Sequence, residues 1–185
     1  MADITYAHAI QLLKYEASDG KLFWLHRPHH LFASPPSRVA AIAKSWNNRM
    51  AGKPALSHLN NDGYLCGHLA GKAVLAHRVV WLMHHQCWPT SQIDHINGDR
   101  ADNRISNLRS VSTSENCRNQ KRRSTNTSGV TGVYWITPKS LWKASISSNG
   151  KLKTLGFFNA FDDAVKARKD AEKVFGYHEN HDRNP

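Results

Sequence analysis

The sequence predicts an α+β chain made of small antiparallel sheets, each joined to a helix. Three stretches carry that prediction. Between Tyr64 and Ala76, two short apolar runs flank Ala70-Gly71-Lys72 as the arms of a β-hairpin do. From Ile93 to about residue 117 the order is strand, wide loop, short strand, helix. Beyond Gly129, Trp142, Ala144 and Ile146 alternate with Lys143, Ser145 and Ser147, the period of a half-buried strand, and a helical run follows.

Taken in order, residues 4–16 carry Ile10, Leu12 and Leu13 in a helix-permissive stretch, and Asp19-Gly20 turns the chain into a strand over Lys21–Leu25. Residues 26–50 read as irregular, because Pro28, Pro35 and Pro36 interrupt them. The basic side chains Arg27, Arg38, Lys44, Arg49 and nearby Lys53 suit either a segment that wraps nucleic acid or a solvated loop. A helix from about His77 to Gln86 has Val79, Val80, Leu82 and Met83 on its apolar side, and His77 reads as a core histidine satisfied by hydrogen bonds. Trp88-Pro89 ends that helix and sends the chain toward Ile93.

A strand then ends at Asp94-His95, and Asn97-Gly98 opens a loop that runs to Arg104. The next strand covers Leu108–Val111. Ser112 with Glu115 three residues on is a capping box that starts a helix at about residue 113, placing Asn116 in its first turn, toward the strand that holds Asp94 and His95. Residues 121–128, within the basic Ser/Thr/Asn-rich run that includes Lys121, Arg122 and Arg123, read as a linker whose cations add salt-dependent affinity for a polyanion. In the last module, Asn149-Gly150 is a hairpin turn. Asn159 is the expected N-cap of a helix with Phe161, Ala164, Val165, Ala171 and Phe175 on one face, and Gly176 stops it.

Charge narrows the partner. The chain has 185 residues, 25 Lys and Arg against 14 Asp and Glu, and a formal charge of +11. Such a balance points to nucleic acid. A membrane surface is the other polyanion, but no long apolar stretch or amphipathic anchor is evident, and Met1–Leu13 does not read as a signal peptide. Three widely spaced cysteines, Cys66, Cys87 and Cys117, fit neither a disulfide framework nor a zinc ribbon, and suit a reduced intracellular chain.

One constellation carries chemistry. Asp94 and His95 are adjacent, Asn107 lies 12 residues beyond His95, and Asn116 lies 9 beyond Asn107. This spacing resembles the HNH homing endonucleases of phages and introns, in the subclass whose last position is Asn, and His77-Arg78-Val79-Val80-Trp81 resembles the segment that precedes their motif. The resemblance implies a ββα-metal nuclease module in which His95 and Asn107 are the catalytic pair and Asp94 and Asn116 hold the metal. The residue chemistry is suitable. A neutral imidazole takes a proton from water near neutral pH, and a carboxylate and an amide oxygen suit Mg²⁺, with Mn²⁺ able to substitute. By the resemblance, Asn107 does not touch substrate but bridges the loop backbone and keeps His95 oriented.

The C-terminal order Ser128–Tyr134, Trp142–Ile146, Leu155–Phe158 and a helix resembles the plant ethylene-response-factor DNA-binding domain. That implies a three-stranded antiparallel sheet with a helix on one face and DNA on the other, where Tyr134, Lys143 and Ser145 would point, with Lys151 and Lys153 on or near the third strand. Small or apolar residues such as Thr131, Ser147 and Thr154 stand where the plant domains use Arg and Trp, so plant specificity does not transfer.

The organisation expected is a helix/strand and basic-loop region (1–60), the nuclease module (61–120), a basic linker (121–128) and the DNA-binding domain (129–185). The function expected is Mg²⁺-dependent hydrolysis of double-stranded DNA to 5′-phosphate and 3′-hydroxyl ends, nicking by a monomer or paired cutting by a DNA-induced dimer, inside the host cell of a phage. The rivals are a non-catalytic DNA-binding regulator and a nuclease that recognises branched structure.

Overall fold

A computed structural model describes residues 4–32, 34–117, 122–148, 150–178 and 181–182. Thr5 starts the first helix, α1 (Tyr6–Leu12), through a reciprocal cap in which its hydroxyl accepts the His8 amide while His8 accepts the Thr5 amide. The chain then makes an antiparallel hairpin of β1 (Leu13–Glu16) and β2 (Lys21–Trp24), which β3 (Pro54–Ala55) extends to three strands.

The turn of that hairpin fixes Gly20 at φ +74°, and a Cβ built there would lie 2.4 Å from the backbone nitrogen of Arg104. Only glycine meets both demands. Gly20→Ala should therefore lower stability by more than about 1 kcal/mol, read from the urea midpoint, since it adds left-handed strain to a backbone clash.

Residues 26–50 correct the expectation of an irregular segment. They contain α2 (Pro36–Met50), a helix of 15 residues. Pro35-Pro36 reads as a break, but Pro36 occupies the first helical turn, where a fixed φ is suitable and no amide donor is needed. Ala40, Ala41 and Ala43 then supply helix propensity. Asn47 ties α2 to the chain before it, accepting the Arg27 amide at 2.8 Å and donating to the Arg27 carbonyl at 3.0 Å.

A second sheet has β4 (His58–Leu59), β5 (Leu65–Leu69) and β6 (Lys72–Leu75), with the β5–β6 turn at Ala70-Gly71 in positive φ. It leads directly into α3 (Ala76–His85), which Gln86 ends in the left-handed region. A two-stranded sheet follows, of β7 (Gln92–His95) and β8 (Leu108–Val111), and then α4 (Thr113–Cys117). The last sheet, in the order β11-β10-β9, comprises β9 (Val133–Ile136), β10 (Leu141–Ser148) and β11 (Lys151–Phe158), antiparallel throughout and followed by α5 (Phe161–Val174). The residue before α5 is Ala160, not Asn159, and no side chain caps the helix; Asp162 and Asp163 supply negative charge to its first turn instead.

The chain divides into two units, Met1–His95 with Asp99–Ser110, and Ile96–Gly98 with Val111–Pro185. The first has one continuous core. Ala9, Leu12, Leu13 and Leu22 of the N-terminal elements, Val79, Val80 and Leu82 of α3, and Ile93 and Leu108 of the paired strands belong to the same apolar cluster. The second has a smaller core of Val133, Ala144 and Ala164, with Trp142, Leu155, Phe158 and Phe161 packed around it.

Candidate functional site

Asp94 and His95 occupy the last two positions of β7, and with Ile93 they form three consecutive buried residues. Neighbouring strand residues face opposite ways, so both faces of this strand end are covered. Asp94 is 8% exposed and His95 3%. His95 Nε2 lies 3.1 Å from Asn103 Oδ1. With the amide oxygen accepting, Nε2 carries the proton and Nδ1 is the basic nitrogen of the ring. Burial pushes the His95 imidazole below its usual value, partly opposed by the Asn103 bond and by the charges of Asp94, Asp99 and Asp102. The ring is therefore neutral at pH 7, the form that accepts a proton.

Asn103 lies in the loop between the two strands, where the sequence favours a structural role over one in support of the site. It is 1% exposed. Its carbonyl accepts the Tyr15 hydroxyl at 3.2 Å, and the Tyr15 oxygen accepts the Ile105 amide at 2.9 Å. Burial raises the Tyr15 phenol, which keeps that donor in place. Asn107 braces the same loop, donating its side-chain amide to the Asp102 carbonyl at 2.8 Å. Tyr15→Phe leaves the Ile105 amide without its acceptor, so a loss of about 1–3 kcal/mol is expected in the urea midpoint.

Asp94 is held by Arg109 of β8, whose Nε and Nη2 both donate to Asp94 Oδ2, at 3.0 and 2.8 Å. Among the described residues no three His, Cys, Asp or Glu side chains gather as metal ligands. Asp94 supplies a carboxylate, the kind of oxygen donor that a hard divalent cation takes beside water and phosphate oxygens. Asn116 sits in α4, where its amide bonds the Ser112 carbonyl at 3.0 Å. The capping box forms, with the Ser112 amide and hydroxyl donating to Glu115 Oε2 at 2.8 and 2.7 Å and the Glu115 amide returning to the Ser112 hydroxyl at 3.2 Å. Asp94, His95 and Asn107 belong to the first unit, and Asn116 to the second.

His77 departs from expectation. It is buried in α3 with its ring centroid 5.1 Å from that of His95 and nearly perpendicular to it, while Tyr64 touches both rings. Among the described residues its Nδ1 has no hydrogen-bond partner, which departs from the satisfied core histidine the sequence suggested. Burial, then His95, then Arg78 push it down to about 3. The unfolded chain binds a proton here below about 6.5 whereas the folded chain does so only near 3. The unfolded state thus gains protons in that window, and stability complete above pH 6.5 is lost as pH falls toward 3. Denaturant midpoints measured across this window should decline less steeply for His77→Leu than for the native chain.

In the C-terminal sheet, Tyr134, Lys143 and Phe157 are direct cross-strand neighbours on one face. Tyr134 and Phe157 are exposed, and Lys143 lies over both rings. Lys139, which the sequence did not single out, caps Phe157 at 4.6 Å. Ser145 needs correction. It is 2% exposed, its amide and hydroxyl are both directed to the Gly132 carbonyl, and it follows a break in register between Ala144 and Ser145. The segment before β9 covers it. Lys153 also departs from the open face: it pairs with the core residue Ile146 and lies over Phe175 at the end of α5. Lys151 is exposed at the start of β11, and Arg123 is exposed ahead of β9. Arg122 donates to the Gly129 carbonyl at 2.6 Å, and Lys121 lies outside the described residues.

Comparison with known proteins bears on this geometry. The family described as HNH endonuclease matches residues 74–118, from the end of β6 through α4. "Protein 3.8" of Escherichia phage T7 is 33% identical over 81 residues, 43% of this chain and 67% of that protein. The chain belongs to the HNH endonuclease family. All four positions of the spacing motif fall inside the matched segment of this HNH protein, as do His77, Asn103 and Arg109; Tyr15 and Gly20 fall outside it. No solved structure matches the HNH chain. No helix among its described residues is long and apolar enough to cross a membrane.

Proposed function

We propose that this HNH protein is a metal-dependent, homing-type endonuclease that nicks double-stranded DNA and leaves 5′-phosphate and 3′-hydroxyl ends. The observation that carries the reading is the neutral, buried His95, fixed through Nε2 by Asn103 beside the buried carboxylate of Asp94. In this scheme His95 Nδ1 takes a proton from the attacking water. Asn103, Asn107 and Tyr15 hold the loop so that the imidazole needs no rearrangement at the moment of reaction. Asp94 and Asn116 would hold Mg²⁺ or Mn²⁺, which supplies positive charge beside the phosphoryl group and the departing 3′ oxygen. One motif in each chain nicks one strand, and a double-strand break takes two chains or two events.

The C-terminal sheet is read as the ethylene-response-factor-like DNA-binding module. Its open face offers Tyr134, Phe157, Lys139 and Lys143, and no Asp or Glu occurs from residue 117 to residue 161. Linking this module to the cutter, with residues 121–128 as the tether, raises the effective concentration of the cutter on one stretch of DNA.

The Arg109–Asp94 ion pair favours a second reading, a DNA-binding regulator that keeps the HNH scaffold with its carboxylate occupied by a guanidinium. Supercoiled plasmid incubated with the purified chain in Mg²⁺ and in EDTA decides between them. Open-circular product in Mg²⁺ alone is expected. Intact plasmid carrying a demonstrated binding site, in both Mg²⁺ and Mn²⁺, would favour the regulator.

A further inference from the structure

We propose that α2 is a DNA-docking helix, with Arg38, Lys44 and Arg49 holding phosphates of double-stranded DNA outside the nuclease motif. The inference rests on the DNA-directed reading above and adds a binding surface to it. Only Ala43 and Asn47 of this helix are buried, with Val39, Trp46 and Met50 half-buried around them. At 100° per residue these five share one side, and the outward side carries Ser37, Ala41, Ser45 and Asn48. Lys44 flanks that outward strip on one edge, and Arg38 and Arg49 on the other, all three exposed.

Charge identifies the occupant. From Gly20 to Asn61 there is no Asp or Glu, so no acid within this segment neutralises the three cations. An apolar partner surface is less well matched, because the centre of the outward face is small and polar and its edges are cationic, with Ile42 the large apolar side chain that the helix exposes. Duplex DNA offers that complement: its major groove admits an α-helix, and phosphates line both margins. Arg38 and Arg49 are about 16 Å apart along the axis at 1.5 Å per residue, enough to reach more than one phosphate.

The helix is also held as a rigid element. Trp46 meets Trp24 and Phe32 edge-on at 5.6 and 5.9 Å, and Asn47 closes two bonds on the Arg27 backbone. Arg27 is used inside this cluster, with its guanidinium 4.3 Å from the Phe32 ring and bonded to the Leu31 carbonyl, so it does not serve the outward surface. Because α2 belongs to the same compact unit as Asp94, His95 and Asn107, DNA gripped there is positioned relative to those residues.

The test is equilibrium binding of the full chain to a fluorescein-labelled random-sequence duplex in EDTA, followed by anisotropy over a salt series. Arg38→Gln/Lys44→Gln/Arg49→Gln is compared with Lys14→Gln/Lys166→Gln/Lys173→Gln, which removes equal charge from exposed positions elsewhere. Far-ultraviolet dichroism checks that both remain folded. Removing one phosphate-bound cation lowers the slope of log K against log salt by about 0.9, so the slope should fall by about 2–3 in the α2 variant and by less than about 1 in the control. Any smaller difference between the two variants, or a native chain that does not bind the duplex, overturns the proposal. Plasmid nicking by the native chain is scored separately. Cleavage with unaltered binding by the α2 variant would reject this inference alone, and binding without cleavage would reject the nuclease reading alone.

Discussion

Replacing His95 by alanine is expected to lower the rate of plasmid nicking by about 10²–10⁴-fold, the usual contribution of a positioned general base. The variant should bind DNA as the native chain does, since a neutral imidazole offers the phosphates no charge to hold. The pH profile of the native enzyme supplies a second check. A base must be unprotonated to act, so kcat/KM rises with pH through the pKa of the free imidazole and then levels. Burial holds His95 below its usual 6.5, which places the rising limb on the acid side of that value. A limb centred above 6.5 would contradict the assignment of His95 as the base. Asn103→Ala should shift the same limb further toward acid, because the Asn103 bond is the largest influence that raises the imidazole.

Arg168→Met is expected to cost about 3–5 kcal/mol, the effect of removing one partner from a buried ion pair. Arg168 is 2% exposed and donates to Glu172 Oε1 at 2.9 Å and to the Ser145 carbonyl at 2.6 Å, with His181 Nε2 3.2 Å away. Its loss leaves the Glu172 carboxylate, itself 8% exposed, with Lys169 as a half-exposed cation at 3.0 Å. The double change Arg168→Met/Glu172→Met removes the stranded charge and should recover part of the loss, measured as the thermal midpoint of the chain. If the double variant is as unstable as the sum of the two single changes, the pair is not coupled as described.

The two helices that flank the sheets show what the sequence could and could not reveal. In α5 the period of Ala164, Val165 and Ala171 was legible, because apolar spacing is set by the helix itself. That Arg168 and Glu172 lie on the same inward face was not, since a charged side chain is read as a solvent marker unless its partner is known. For α2, the Pro35-Pro36 pair reads as a break when its structural use is as a start. In the site, Asp94 and His95 were placeable because the turn at Asn97-Gly98 and the Ser112–Glu115 box bound the elements on either side. The Asn103–His95 bond was not, because it depends on the path of a long loop that Tyr15, from a distant hairpin, holds in shape. Ser145 was misplaced for a similar reason: strict alternation carries no sign of the register break beside it.

Sharing one core between the N-terminal elements and the paired strands makes the cutter indivisible. The segment from residue 74 to residue 118 holds every position of the spacing motif, yet Leu13 and Leu22 pack in the cluster that seats Ile93 and Leu108, Tyr15 clasps Asn103, and Trp88 donates to the Ile4 carbonyl at 2.6 Å. A cassette cut at the motif boundaries and grafted onto another DNA-binding protein would carry the chemistry without its mould. Any transplant of this activity has to take the first hairpin with it.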